Sequence, residues 1–158
     1  MKLNADYVRD ILLFIEKYLD YEDSESQVPH IHKEITDGQL ISNEYFTTYN
    51  KQELSYALEQ LIKAGLIDLA SKPNVHNGNI NMARIIGLTW SGHELLDNVR
   101  DNTIWNTVKQ RASKFTGVSI AALFNGAKFL TNALMSDPNA IQNFNQGIEN
   151  IGKMFGGS

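Results

Sequence analysis

The sequence predicts a mixed α+β fold that is mainly helical, and three observations support this prediction. Apolar residues recur at helical spacing along most of the chain, beginning with the segment 8–19. Asn50, Thr89 and Asp137 each precede such a segment, and these residue types cap helix N-termini. Residues 66–88 hold two apolar runs separated by turn-forming residues, which indicates two strands.

The composition limits the functions that are open to this chain. Its 158 residues suffice for one domain with a core and an appendage. Zero cysteines remove disulfides, thiol nucleophiles and cysteine-based metal sites, and a net charge of −4 argues against a general nucleic-acid coater. No apolar run approaches the roughly 20 residues of a spanning helix, and the N-terminus lacks a signal-peptide core. We therefore expect a cytoplasmic protein with no integral membrane segment.

The first helix is predicted to follow Asn4, whose side chain can accept from the free amides of the first turn. An acidic cluster at residues 20–25 is expected to end this helix as a solvated loop. The apolar stripe consists of Val8, Ile11, Leu12, Ile15 and Leu19.

A β-hairpin is predicted next, with strands near residues 30–36 and 39–46. Asp37 and Gly38 lie between these two runs, and Asp-Gly is a strong signal for a tight hairpin turn. A short helix over Asn43–Thr48 is the competing interpretation.

The long helix over residues 50–64 is marked at both ends. Asn50 and Glu53 form a pair that resembles a capping box at the start of the helix. Gly65 is expected to end the helix in the left-handed conformation that glycine adopts readily. The predicted buried stripe consists of Leu54, Ala57, Leu58, Leu61 and Ile62.

Two strands are predicted to follow, over residues 66–69 and 80–88, joined by the turn-forming loop 71–79. Arg84 is expected on the same face of the second strand as Ile80, Met82, Ile86 and Leu88.

Two more helices complete the predicted domain. The first starts after Thr89 and buries Leu95, Leu96 and Val99, and the second covers about residues 103–115. Helix, long helix, strand, loop, strand and helix is the order of a winged-helix domain. The sequence therefore predicts such a domain over residues 1–115, with the loop 71–79 as its β-hairpin wing.

Residues 116–158 are predicted to form an apolar helical tail. The break at Asp137 and Pro138 divides it into two short amphipathic helices, about 118–135 and 138–154. Apolar residues at heptad spacing favour self-association, while folding back onto the domain and lying in a membrane interface are the alternatives. The self-association residues are Ile120, Leu123, Leu130, Leu134, Ile141, Phe144, Ile148, Ile151 and Phe155.

One phrase of the sequence carries a family resemblance. Residues 88–97 read LTWSGHELLD, and together with the opening MKLN and the AGLI at 64–67 they resemble the domain of unknown function family 2513 over about residues 1–135. Gly92 within the phrase is expected to allow close helix approach. The resemblance implies a bacterial or prophage origin, a fold similar to small winged helices, and no established catalytic residues. This chain has Ala57 at a position where members of the family commonly carry a histidine.

Candidate DNA contacts lie on the long helix, around the wing and on the helix 103–115. Polar side chains on the exposed face of the long helix would enter a groove, and cations would contact phosphates. Glu53 and Glu59 balance the two lysines of that helix, which weakens this interpretation. The candidates are Lys51, Gln52, Ser55, Tyr56, Gln60, Lys63, Lys72, Arg84, Lys109, Arg111 and Lys114.

Metal binding and catalysis are weakly indicated. His30 and His32 share one side of a predicted strand. His76, far along the sequence, is the candidate for a third ligand, but no carboxylate spacing completes a site. No nucleophile–base pair and no phosphate or dinucleotide motif occurs. We therefore expect neither a catalytic residue, nor a metal, nor a cofactor.

Two functional hypotheses remain. The favoured one is a non-enzymatic interaction or regulatory module that self-associates or binds a protein partner through its C-terminal helices. The alternative is a dimeric DNA-binding transcriptional regulator that uses the helix 50–64 and the wing 71–79.

Overall fold

The computed structural model of the protein describes residues 1–19, 33–112, 119–143, 145, 146 and 149. These residues form a mixed α+β fold that is mainly helical and contains a small antiparallel sheet, which confirms the predicted class. The helices are α1 (Ala5–Leu19), α2 (Asp37–Ser42), α3 (Lys51–Lys63), α4 (Trp90–Val99), α5 (Asn102–Ala112) and α6 (Ile120–Ser136). The strands are β1 (Ile35–Thr36), β2 (Ile67–Leu69), β3 (Asn74–His76), β4 (Asn79–Asn81) and β5 (Arg84–Leu88).

The first helix forms as the sequence predicts. The Oδ1 atom of Asn4 accepts a hydrogen bond from the amide of Asp6 at 3.1 Å, which satisfies one of the free donors at the start of α1. The predicted stripe is buried, and Phe14 joins it: Val8, Ile11, Leu12, Phe14, Ile15 and Leu19.

The predicted hairpin over residues 30–46 is wrong. Thr36 caps α2, because its hydroxyl accepts from the amide of Gln39 at 3.2 Å while the Gln39 side chain accepts from the Thr36 amide at 2.9 Å. This reciprocal capping box makes Asp37 and Gly38 the first turn of a helix instead of a hairpin turn.

The competing interpretation, a short helix near residues 43–48, is closer to the structure. A single 3-10 turn covers Glu44–Phe46, and its Phe46 is fully buried. Of the first predicted strand, the described residues contain only β1.

The three-stranded sheet places β5 between β1 and β2, with antiparallel pairing on both sides. Ile35 pairs with Ile85 and Ile67 pairs with Leu88, and all four side chains are buried. The sheet therefore contributes one apolar face to the core beneath α1.

The predicted strand 80–88 is two strands in the structure, β4 and β5, and the residues expected to share one face do not share it. Met82 has a φ of 55° and is 74% exposed, so the alternation of the two faces restarts after it. Ile85 and Leu88 are both buried, because the β2–β5 register shifts at Ile86, whereas Ile86 is half-buried and Arg84 is exposed.

The loop predicted as a wing contains a β-hairpin. Strands β3 and β4 pair antiparallel, with Val75 opposite Ile80. Asn77 and Gly78 form the turn between them and both have positive φ, 50° and 79°, which is the type I′ arrangement suited to two-residue hairpin loops.

Helix α4 and the end of α3 approach each other closely. The Thr89 hydroxyl accepts from the Gly92 amide at 3.1 Å and donates to the Gly65 carbonyl oxygen at 2.7 Å. Leu95, Leu96 and Val99 are buried, as predicted.

Helix α6 packs against α4 and α5 within the same chain. This packing buries Ile120, Leu123, Ala127 and Leu130. The first tail helix therefore takes the alternative of folding back, and it belongs to the core of the domain. A further helical segment begins at residue 140. Just before it, the Asp137 side chain accepts a hydrogen bond from the Asn139 amide at 2.9 Å, as expected of a capping aspartate.

Asp101 caps α5 and supplies a pH-dependent contribution to stability. Hydrogen bonds from the amides of Ile104 (3.0 Å) and Thr103 (2.7 Å) hold the pKa of Asp101 below its usual range. Because the pKa is lower in the folded state, this stabilisation is complete above about pH 4 and is lost as the pH falls below it. We expect the free energy of unfolding, measured with urea between pH 7 and pH 3, to fall less steeply in Asp101→Asn, which keeps a capping oxygen without a titrating group. Equal slopes for the two proteins would contradict this assignment.

Candidate functional site

The candidate site is the outward surface of α3 together with the β3–β4 hairpin beside it. The Asn50 side chain caps α3 by accepting from the amides of Gln52 and Glu53 at 3.0 and 3.1 Å. Gly65, with a φ of 70°, ends the helix. The opposite face packs into the core through Leu54, Ala57, Leu58 and Leu61, as predicted, while Ile62, also predicted in the buried stripe, is half-buried.

Contacts with α1 fix the start of α3. The Tyr49 hydroxyl donates to Asp10 at 2.7 Å, and the Asn50 amide donates to the Tyr7 hydroxyl at 3.1 Å. Two causes raise the pKa of Tyr49: burial is the larger one, and the hydrogen bond to Asp10 is the next. These long-range contacts orient the outward surface of α3 relative to the rest of the domain.

Lys51 is exposed, but its ammonium is engaged by backbone carbonyl oxygens instead of being free for a phosphate contact. Its Nζ atom donates to the carbonyl oxygens of Ile41 at 2.7 Å and Phe46 at 2.9 Å. The lysine therefore holds the end of α2 and the 3-10 turn against α3.

Lys63, at the other end of α3, is also engaged. Its ammonium lies 2.5 Å from the Glu59 carboxylate and 3.3 Å from the carbonyl oxygen of Gly78 in the hairpin turn. Gln52 and Ser55 are exposed, while Tyr56 and Gln60 are half-buried and border a groove beside the start of α6. The outward surface of α3 is therefore polar but electrically balanced.

The two cations near the hairpin, Arg84 and Lys72, differ in their ion-pair partners. Arg84 donates to both Glu34 oxygens, at 2.7 and 3.3 Å, and these hydrogen bonds raise the pKa of Arg84. Lys72 is exposed and has no ion-pair partner among the residues that the structure describes.

The cations on α5 lie apart from this surface. Lys109 and the Trp105 indole both donate to Asp6, at 2.8 and 2.9 Å. Burial raises the pKa of Asp6, but the hydrogen bonds from Lys109 and Trp105 outweigh it and hold the pKa below its usual range. Partial burial lowers the pKa of Arg111, and Lys114 lies outside the described residues.

The predicted self-association residues fall into three groups. Ile120, Leu123 and Leu130 are buried by the chain's own helices, so they are not available to a second copy. Leu134 and Ile141 are half-buried. Phe144, Ile148, Ile151 and Phe155 lie outside the described residues.

The structure describes one of the three histidines considered as metal ligands. His76 is exposed on β3, while His30 and His32 lie outside the described residues. In the described ranges, no group of three or more His, Cys, Asp or Glu side chains could hold a metal ion. No helix of these ranges is long and apolar enough to cross a bilayer.

Sequence reasoning missed one feature of the site. Four polar side chains cover one face of the hairpin, and all of them are exposed: Asn74, His76, Asn79 and Asn81. The alternation of these residues with Val75 and Ile80 is the signal that could have revealed this face.

Fold and site together define a small α+β protein with an outward helix and an adjacent hairpin. The family model described as "Hypothetical protein (DUF2513)" matches residues 2–119, and the chain belongs to that family, as the phrase at 88–97 predicted. An uncharacterized protein of Haemophilus influenzae is 31% identical over 137 residues, which cover 86% of this chain and 100% of that protein. No solved structure gives a significant match.

Proposed function

We propose that this chain is a non-enzymatic interaction module with a winged-helix fold, and that it binds a second copy or a protein partner through residues 138–158. The order α1, β1, α2, α3, β2, hairpin, β5 supports the winged-helix assignment, as does the strand order β1-β5-β2. In that fold, α3 is the outward helix and the β3–β4 hairpin is the wing.

One observation carries the interaction proposal. The apolar stripe of α6 is already used by the chain's own core, yet the sequence continues with more large apolar residues and only two charges, Glu149 and Lys153. A stripe of this size exceeds what a monomer usually exposes. These residues are Ile141, Phe144, Ile148, Ile151 and Phe155.

Truncation after Asp137 tests the proposal. A cut at this point keeps α6, whereas a cut before α6 would expose the core surface of α4 and α5. In sedimentation equilibrium, we expect the full chain to run as a dimer or larger species and the truncated chain to run as a monomer. A thermal unfolding curve checks that the truncated chain keeps its fold.

A matched control separates loss of apolar side chains from loss of chain length. The full-length variant carrying Ile141→Asn and Phe144→Asn is expected to dissociate like the truncated chain, while Asn139→Ala stays associated. If the unmodified full chain is a monomer at high micromolar concentration, self-association through this segment is refuted.

DNA binding is a second candidate function, and one observation favours it. No acidic residue occurs between Asp68 and Glu94, although the whole chain has a net charge of −4. This stretch includes the whole hairpin, Lys72 and Arg84. The balanced charge of α3 argues against the usual mode, in which the outward helix supplies the contacts.

A further inference from the structure

The two faces of the β3–β4 hairpin differ in chemistry. Side chains alternate between the faces of a strand, so Val75 and Ile80 share one face and the four polar residues share the other. Ile80 is half-buried and borders the same small cavity as Leu58 and Ile62 of α3. Ile80 therefore turns toward α3, although Val75 on the same face is 63% exposed, and the polar face, named here the amide face, turns to solvent: Asn74, His76, Asn79 and Asn81.

The surroundings of the amide face suit a polyanion. Lys72 precedes β3 and has no ion-pair partner among the described residues, while Arg84 follows β4. The Arg84–Glu34 pair is about half exposed on both sides, 52% and 44%. Exposed ion pairs of this kind contribute little to stability, so a DNA phosphate can replace the Glu34 carboxylate as the partner of Arg84.

Helix α3 is poorly suited to supply the main contacts with a polyanion. Lys51 is held by carbonyl oxygens and Lys63 by Glu59, whose carboxylate would repel phosphates. The hairpin carries no acid, and its amides offer both donors and acceptors.

We propose that the amide face of the β3–β4 hairpin binds duplex DNA in the major groove and contacts adenine edges. A two-stranded ribbon fits the major groove, about 12 Å wide, whereas the minor groove is only about 6 Å wide. An asparagine amide matches adenine there, because it donates to N7 and accepts from the N6 amino group. Lys72 contacts the phosphate backbone. This inference rests on the second candidate function, DNA binding, and does not depend on self-association through residues 138–158.

Fluorescence anisotropy with the full chain and an A·T-rich duplex at low salt tests this inference. We expect the Asn79→Ala/Asn81→Ala variant to bind about tenfold more weakly, because each good adenine contact contributes substantially to discrimination. The matched control is Asn132→Ala on the exposed side of α6, which should bind like the unmodified chain. Both asparagines of the test variant are exposed and the turn residues stay intact, so unchanged thermal unfolding is expected.

Two further measurements identify the groove and the phosphate contact. Replacing adenine by 7-deazaadenine in the duplex removes N7 and should weaken binding as much as the double variant does. Lys72→Ala should weaken binding to every duplex and reduce the slope of log affinity against log salt by about 1. An RNA duplex should bind more weakly, because its major groove is too narrow for a ribbon.

The opposite results would overturn the inference. Absence of binding at low salt and high micromolar protein removes any DNA contact. Equal binding by the double variant and the Asn132→Ala control removes the amide face as the contact surface. Binding that is insensitive to 7-deazaadenine, or equal for RNA and DNA duplexes, removes the major groove as its location.

Discussion

Leu61→Ala is expected to lower the free energy of unfolding by about 2–5 kcal/mol, the usual cost of removing a large side chain from a packed core. Leu61 has no exposed surface and lies on the face of α3 that packs toward α1. Its removal would leave a cavity that neighbouring helices cannot fill without moving. Urea unfolding followed by circular dichroism measures the change.

Ser55→Ala is the control for this change, because Ser55 lies on the exposed side of the same helix. Its effect should stay within about 0.5 kcal/mol. If Leu61→Ala also costs less than roughly 0.5 kcal/mol, the buried face of α3 has been assigned wrongly.

Gly92→Ala is expected to cost about 3 kcal/mol, at the upper end of the usual cost of overpacking. A Cβ atom at this position would lie 2.1 Å from the carbonyl oxygen of Leu66. That backbone cannot yield easily, since the same oxygen accepts from the Thr89 amide at 3.1 Å and the Leu66 amide donates to Leu61 at 3.1 Å. The substitution therefore forces α4 away from the end of α3.

Gly126→Ala provides a matched glycine inside another helix. Its added Cβ would meet only Val108 at 3.8 Å, an ordinary van der Waals contact. Alanine in a helix interior is favoured over glycine by about 0.5–1 kcal/mol, so this variant should be slightly more stable. Thermal unfolding of both variants distinguishes a close approach at Gly92 from a general intolerance of alanine.

Local sequence signals predicted α1, α3 and α4 well. Asn4, Asn50 and Thr89 each accept a hydrogen bond at the start of the helix that they were expected to cap. The close approach at Gly92 was also anticipated. In these elements, caps and apolar spacing agree, so nothing in the tertiary structure had to override them.

The errors arose where two local signals competed. Asp37-Gly38 favours a hairpin turn, but Thr36 and Gln39 form a capping box around it, and the helix prevails. In residues 80–88, the positive φ of Met82 separates β4 from β5, and a register shift at Ile86 in the β2–β5 pairing puts Leu88 on the same buried face as Ile85. Residue types alone do not show such a shift.

The candidate site was predicted only in its composition. The cationic residues were identified, but their partners are distant in the chain: Glu34 is 50 residues from Arg84, and Asp6 is 103 residues from Lys109. Sequence spacing carries no information about such pairs. The neutrality of α3 follows from its composition, whereas the pairing of Arg84 with Glu34 and of Lys109 with Asp6 emerged only from the structure.

The contact of Asp6 with Trp105 and Lys109 has a consequence for how the chain folds during synthesis. It joins the first turn of α1 to α5 across 99 and 103 residues. While the ribosome makes the protein from its N-terminus, α1 emerges early but lacks this partner until α5 has left the exit tunnel. Contacts of such long sequence separation are slow to form because a large loop must close first. The joining of α1 to α5 is thus a late event in the folding of the domain.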